Sequence, residues 1–329
     1  LFSDSVYIDR LSRIPAIMEM PYNDIIRKFI DMYAGRLRNQ VSFMLSACNF
    51  YMPIFEEALD AYGLPLELRY LPIIESALNP SAVSRAGASG LWQFMIGTGK
   101  IYGLESNSLV DERRDPIKAT WAAARYLKEM YDIYGDWNLV IAAYNCGPGT
   151  INKAIRRANG ETDYWKIYNY LPKETRGYVP AFIAANYVMT YYCDHNICPM
   201  ETNIPASTDT VQVNKNLHFE QIADLCNVPL DQIKSLNPQY KKQMIPGDSK
   251  PYTLRLPIDA ISTFIDKQDT IYTHRADELF RNRKTVAVKD ITPATRKTTS
   301  AVAGKGNLTY YTIKSGDTLS TIAGKYGVS

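Results

Sequence analysis

The segment IESALNPSAVSRAGASGLWQ, Ile74 to Gln93, sets one carboxylate, Glu75, at the end of an apolar run. Short polar residues and glycines follow, then an abrupt Leu91-Trp92 pair. Upstream, LELRYLPII supplies Leu66, Leu68, Leu71, Ile73 and Ile74 as a surface expected to be buried, so Glu75 is read as emerging from core at the end of a helix. A carboxyl group in that setting tends to stay protonated. Ser84 and Gln93 follow nine and eighteen residues after it.

Outward from this segment, residues 1 to about 200 read as almost wholly helical. From Asn23 to Asn39, Ile26, Phe29, Ile30, Tyr33 and Leu37 recur at three- and four-residue spacing, as one buried stripe requires. Asp115 followed by Pro116 reads as an N-cap with proline in the first turn of a helix that runs through Trp121, Ala124, Tyr126 and Leu127 and closes at Gly135. A short helix from Trp137 to Asn145, a Gly147-Pro148-Gly149 turn, a helix from Thr150 and a long one around Gly177 to Tyr192 complete this half.

Past Pro199 the texture changes. ETNIPASTDT is a polar connector, after which VQV, LHFEQIADLCNV, LDQIKSLNP and YTLRLP read as strand, helix, helix and strand. From Ile258 to Asn307 the periodicity decays. Between Arg281 and Gly306 seven basic residues (Arg281, Arg283, Lys284, Lys289, Arg296, Lys297 and Lys305) face Asp290 alone, the composition of a flexible linker able to touch an anionic surface. The final YYTIKSGDTLSTIAGKYGVS overlays the earlier small domain at an offset of one hundred residues. Tyr311, Ile313, Leu319, Ile322, Ala323 and Val328 fall on Val211, Val213, Phe219, Ile222, Ala223 and Val228, an internal repeat. The second copy lacks its closing strand, so a fragment of a longer protein is expected, with the last twenty residues poorly packed. The expected boundaries are a helical domain over 1–204, a small module over 205–258, a basic linker over 259–307 and a truncated module over 308–329.

Composition narrows the function classes. The 329 residues are 46% hydrophobic and 22% charged, enough for more than one core. A formal charge of +3 gives no argument for nucleic acid. Twenty-four tyrosines and four tryptophans suit sugar rings, although tyrosine is also an ordinary core residue. No run approaches the ~18–20 apolar residues of a membrane span, and no leader pattern is read at the N-terminus. A start at Leu1 without methionine is expected of a processed or trimmed chain. Five cysteines, Cys48, Cys146, Cys193, Cys198 and Cys226, are too few for a disulfide scaffold. CDHNIC, from Cys193 to Cys198, reads as a local disulfide or two buried thiols in preference to a metal site, because no second Cys/His pair follows at zinc spacing. His195, His218 and His274 are read as capping or solvated residues, and no cofactor or metal is expected.

Two resemblances follow from these motifs. YTIKSGDTLSTIAGKYGVS, with its Gly316-Asp317-Thr318-Leu319 core, resembles the start of a LysM domain, a βααβ module whose family binds glycans containing N-acetylglucosamine. The copy at 208–258 resembles a degenerate LysM in which Asn216-Leu217 replaces the Gly-Asp pair, leaving open whether it binds glycan or only packs. IIES at Ile73–Ser76, GLWQF at Gly90–Phe94 and AAYNCG at Ala142–Gly147 resemble, in this order, the lytic transglycosylases of the goose-lysozyme-like superfamily, most closely the membrane-bound group with C-terminal LysM repeats. Trp92 stands where that family usually has methionine or a phenylalanine-like residue, and Cys146 where alanine is frequent. The fold class implied is mainly α, a lysozyme-like helical catalytic domain followed by small α+β LysM-like modules.

The resemblance implies cleavage of the β-1,4 bond between N-acetylmuramic acid and N-acetylglucosamine in peptidoglycan strands, giving 1,6-anhydro ends without water. Glu75 is the candidate acid and base, with Ser84, Gln93, Tyr144, Asn145 and Tyr178 as the implied substrate-binding set. Ser84 and Gln93 would bond sugar or acetamido groups across a glycine-rich loop that allows close approach. Tyr144 would orient Glu75 or stabilise an oxazolinium-like intermediate, Asn145 would bind substrate or structure the Gly147-Pro148 turn, and Tyr178 matches a late tyrosine of the family. A second carboxylate, the usual need of glycosidases, would have to come from Glu105, Asp111, Glu112 or Asp115. SLVDERRDP is dense in charge, and solvation and helix capping account for those acids. The alternatives are a hydrolytic muramidase on the same fold and a non-catalytic wall-binding protein. A binding module has no use for a half-buried acid beside Gln93 and Tyr144. The implied location is the periplasm or cell envelope, with outer-membrane association of the full-length protein.

Overall fold

A computed structural model describes residues 2–202 and 204–280. The N-terminal part is helical: α1 (Asp4–Ser12), α2 (Asp24–Ala34), α3 (Arg38–Ala61), α4 (Leu71–Ser76), α5 (Ile96–Ile101), α6 (Pro116–Tyr134), α7 (Trp137–Cys146), α8 (Pro148–Arg157), α9 (Tyr164–Ile167) and α10 (Lys173–Thr190). At its centre lies α7, whose residues Leu139 to Ala143 are all buried, the pattern of a helix surrounded by others. It packs against α6, α8, α9 and α10, while α10 also lies along α2. Trp92 is fully buried here, edge-on to Phe55 at 5.3 Å, with its indole N–H donating to Thr120 Oγ1 at 2.9 Å. The GLWQF stretch is thus anchored between α3 and α6.

Several boundaries follow the predicted capping chemistry. Asp115 accepts from the amides of Ile117 and Lys118, Pro116 opens α6, and Gly135 closes it at φ +62°. Others differ. The expected helix from Asn23 to Asn39 starts on the Asn23 cap, breaks at Gly35 and resumes as α3. α8 starts at Pro148 and α10 at Lys173, because proline is tolerated at a first turn and Pro172 caps the latter. LELRY forms a 3-10 turn over Leu66–Tyr70 instead of one helix with Glu75, and Leu66 is exposed at 45%, not buried.

The second part contains β1 (Thr208–Val213), β2 (Asn216–His218), α11 (Phe219–Cys226), α12 (Leu230–Leu236), β3 (Met244–Pro246) and β4 (Tyr252–Pro257). β1 pairs antiparallel with β4, Thr208 opposite Pro257 and Val213 opposite Tyr252. The short β2–β3 ladder, Leu217 opposite Ile245, adds to the expected βααβ order. Three residues per strand leave too little alternation to read in sequence.

Three further helices, α13 (Ile258–Asp266), α14 (Gln268–Thr273) and α15 (Ala276–Leu279), occupy the start of the expected linker. Phe264, Ile271 and Tyr272 are buried in the same core as Val213, Leu254 and Leu256, so residues 258–279 belong to the module. The rest of the expected linker and the truncated second copy lie outside the described residues. Cys193 and Cys198 are free and exposed, which overturns both the disulfide and the buried-thiol expectations. His195 is not solvated: it is buried among Phe2, Tyr7 and Tyr187, and burial pushes its pKa down. His218 caps α11 as expected, and His274 bonds Asp224 at 2.9 Å. Among the described residues no helix is long and apolar enough to cross a membrane.

Leu109 and Val110 of the helical part are buried in the core of the second part, among Phe219, Tyr240 and Tyr252. Val110 and Tyr240 form an antiparallel bridge, the Asp111 amide donates to the Gln239 carbonyl at 2.9 Å, and the Lys241 amide donates to the Leu109 carbonyl at 2.8 Å. Lys241 Nζ reaches the Asn107 carbonyl at 2.7 Å, and the Tyr252 hydroxyl reaches Glu105 at 3.0 Å.

Candidate active site

Glu75 sits in the last turn of α4, and the chain leaves that helix through two successive left-handed residues, Ala77 at φ +51° and Leu78 at φ +59°. This sharp exit ends the helix beside the carboxylate and turns the chain toward the Ala82–Phe94 loop. Glu75 lies in a groove of about 450 Å³ lined also by Tyr33, Leu37, Gln40, Met44, Ile73, Ile74, Ala82, Val83, Ser84 and Gln93. Its carboxyl pKa is pushed up to about 7, first by burial among these groups. The hydroxyl of Tyr178 on α10 donates to Glu75 Oε1 and opposes that rise, while the charge of Glu174 adds to it. Glu174 and Tyr178 stand four residues apart on α10, on one helix face.

The groove brings Glu75, Ser84 and Gln93 together. Ser84 Oγ accepts from the Ala88 amide at 3.0 Å, and the Ser84 amide donates to the Ala88 carbonyl at 2.9 Å, which closes the glycine-rich turn. Gln93 adopts φ +50° and its Nε2 donates to the carbonyls of Gly90 at 2.7 Å and Ala82 at 3.2 Å. Ser76 Oγ, next to the acid, donates to the Leu91 carbonyl at 3.0 Å. The loop is thereby closed on itself and tied to α4 at Leu91.

Of the remaining expected residues, Tyr178 alone bonds Glu75. The Tyr144 hydroxyl donates to the Trp92 carbonyl at 2.7 Å, not to Glu75, although the Glu75 charge is close enough to help burial raise the Tyr144 pKa. Asn145 Oδ1 accepts from Thr175 Oγ1 at 2.8 Å, tying α7 to α10 in place of the turn at Gly147. The contributions of Tyr33, Leu37, Gln40 and Met44 and the proximity of Glu174 were not foreseen. Apolar periodicity marks Tyr33 and Leu37 as buried, but nothing in it says which groove they face.

The four alternative carboxylates are all engaged elsewhere, and none lines the groove. Asp111 grips Arg113 through both oxygens, at 2.9 and 2.8 Å, and is only 1% exposed. Glu112 pairs with Lys118 and accepts from the Glu105 amide at 2.8 Å. Asp115 caps α6, and Glu105 holds Lys250 and Tyr252 across the seam between the two parts. Capping holds for Asp115. Solvation does not account for Asp111 and Glu112, which are buried in partnered positions.

Residues 52–167 match the transglycosylase SLT domain, residues 207–273 the LysM-like domain of lytic transglycosylase MltD, and residues 311–329 the LysM domain. The chain is 31% identical over 316 residues to the membrane-bound lytic murein transglycosylase D of Escherichia coli strain K12, covering 95% of this chain and 65% of that protein. It therefore spans just under two thirds of that relative's length. A second relative, the soluble lytic murein transglycosylase of the same strain, is 33% identical over 124 residues, 36% of this chain and 19% of that one. The solved 70 kDa soluble lytic transglycosylase of Escherichia coli overlays 44% of this chain and 24% of its own at 29% identity, with a TM-score of 0.38.

Proposed function

We propose, from the premise that the chain carries a transglycosylase SLT domain joined to an MltD-type LysM-like domain, that it is a peptidoglycan lytic transglycosylase. It would cut the β-1,4 bond between N-acetylmuramic acid and N-acetylglucosamine and leave a 1,6-anhydro end. The observation that carries this reading is one partly buried carboxyl group, Glu75, with a pKa pushed up to about 7 on the wall of a groove of about 450 Å³. An acid of that strength is half protonated near neutrality, which suits donation to a leaving oxygen and later recovery of a proton.

In this reading Glu75 gives its proton to the glycosidic oxygen as the C1–O bond breaks. The muramic acid acetamido oxygen attacks C1 and forms an oxazolinium-like intermediate. The Glu75 carboxylate then takes the proton of the 6-hydroxyl, whose oxygen closes on C1 and expels the acetamido oxygen. No second carboxylate is required, which agrees with the engagement of Glu105, Asp111, Glu112 and Asp115 elsewhere. Tyr178 holds the carboxylate between the two steps through its hydroxyl hydrogen bond. Ser84 and Gln93 contact the sugar from the loop, and Tyr144 and Asn145 support it by fixing Trp92 and α10. General acid and base work of this kind contributes about 10²–10⁴ in rate, with orientation in the groove supplying more.

The same reading sets the protein in the cell envelope, in the periplasm, with outer-membrane association in the full-length form, since murein lies there and the similar protein is named membrane-bound. The LysM match at 311–329 supports binding of glycans containing N-acetylglucosamine. The test is mass spectrometry of muropeptides released from purified peptidoglycan by the chain and by Glu75→Gln. Fragments ending in 1,6-anhydro-N-acetylmuramic acid, lost in the variant, are expected. Reducing ends carrying one added water would make it a hydrolase, and no release by either protein would point to wall binding alone.

A further inference from the structure

Arg113 is buried between two segments that have no sequence relation to each other. Its Nη1 atom donates to the carbonyls of Gly87 at 2.8 Å and Phe94 at 3.0 Å, the two limbs of the loop that presents Ser84 and Gln93. Its other nitrogens are held by Asp111, and the two side chains are 6% and 1% exposed. Gly90 presses on the same segment so closely that a Cβ there would stand 1.8 Å from the Arg113 carbonyl, and Arg114 Nε donates to Ser89 Oγ at 3.1 Å. The loop therefore rests on Arg113 and Arg114 at Gly87, Ser89, Gly90 and Phe94.

Residues 105–111, in turn, are held by the LysM-like part. Its Gln239 carbonyl accepts from the Asp111 amide, its Lys241 takes the Leu109 and Asn107 carbonyls, and its core encloses Leu109 and Val110. A bidentate Asp–Arg pair has a fixed plane, so fixing the Asp111 backbone fixes the direction of the Arg113 fork.

We propose that Arg113, aimed by Asp111, is a positioning residue for the substrate loop, and that the LysM-like domain serves the catalytic groove by holding this pair in place. The proposal rests on the transglycosylase reading only for its kinetic consequence. The module then acts as a strut of the groove, its docking felt next to Gln93 through three hydrogen-bonded links, Gln239 to Asp111, Asp111 to Arg113 and Arg113 to Phe94. A lysine at position 113 keeps the charge but lacks the planar fork, so it cannot hold Asp111, Gly87 and Phe94 together.

The test uses the full chain and three variants: Arg113→Lys, Lys241→Met, which removes the side-chain bond to the Asn107 carbonyl together with a cation near Asp111, and Tyr252→Phe, which removes the bond to Glu105. Hydrogen exchange is followed in peptides covering 84–94, α4 and α7, alongside turnover of glycan strands. In Arg113→Lys, exchange in 84–94 should rise by about tenfold or more, the equivalent of one charge-assisted hydrogen bond, with α4 and α7 unchanged. KM should rise more than kcat falls, and the pH limb set by Glu75 should stay in place. The two seam variants should shift 84–94 in the same direction by less. Unchanged exchange in 84–94, or a rise shared equally by α4 and α7, would overturn the proposal. A selective loop response in a chain that releases no anhydro fragments would sustain the positioning role and reject the transglycosylase reading.

Discussion

The fold makes the charge of Glu75 unfavourable, the property its proposed role as an acid draws on, and that cost has a measurable effect on stability. Its pKa stands at about 7 in the folded chain against 4.5 for the free group, so the folded state binds the proton more tightly than the unfolded state. Below about pH 4.5 both states hold the proton and no penalty exists; the penalty grows up to about pH 7 and is complete above it. Glu75→Gln removes it. The variant should be more stable than the parent by about 1–3 kcal/mol at pH 8, with the gain vanishing near pH 4. Urea unfolding at the two pH values checks this, and an equal gain at both would mean that packing, not ionisation, is responsible. The residues flanking the acid were legible in sequence where one segment carries them: Glu75, Ser84 and Gln93 meet in one groove. Asp111 and Arg113 were not, because a dense run of charges looks the same whether it faces water or closes a seam.

At the level of elements, the 82–94 loop behaves as a small structural unit, bridged at Val83–Ser89 and Ser89–Phe94 and pressed onto the 3-10 turn Glu112–Arg114. Gly90 is where that contact is tightest. It adopts φ +87°, and any side chain would collide with backbone, which cannot swing aside as a side chain can. Gly90→Ala should therefore cost at least about 2 kcal/mol, from left-handed strain and the clash together. Chemical denaturation reads this directly, and a loss under half that size would show that the loop lifts away freely. Helices were read well where caps announce them, as with Asp115, Pro116 and Gly135 around α6. The helices α13 to α15 were missed because they are four to nine residues long, too short for a period to emerge from a mixed composition.

Across the whole molecule, the second part shares a core with the first instead of hanging from it. Cutting the chain after residue 204 would uncover Leu109 and Val110, now 3% and 0% exposed, and leave the Leu109 carbonyl and Asp111 amide without their backbone partners and the Asn107 carbonyl without the Lys241 ammonium. Two apolar side chains are worth about 3–6 kcal/mol when fully buried, and a helical body near two hundred residues shifts by about 2–4 °C per kcal/mol. The truncated chain should unfold roughly 6–24 °C below the full one, as calorimetry would record. An unchanged transition would mean that the two parts are energetically independent.

The pairing of Thr208 with Pro257 puts the entrance and exit of the β1-to-β4 unit side by side, one strand spacing apart. A unit whose ends adjoin can be copied within a gene without rebuilding what surrounds it. The hundred-residue repeat that begins again at Tyr311 is the kind of inheritance such a unit permits. Two copies can then differ in use: the one at 208–258 carries Asn216-Leu217 where the other has Gly316-Asp317, and it encloses Leu109 and Val110 of the helical part in its core.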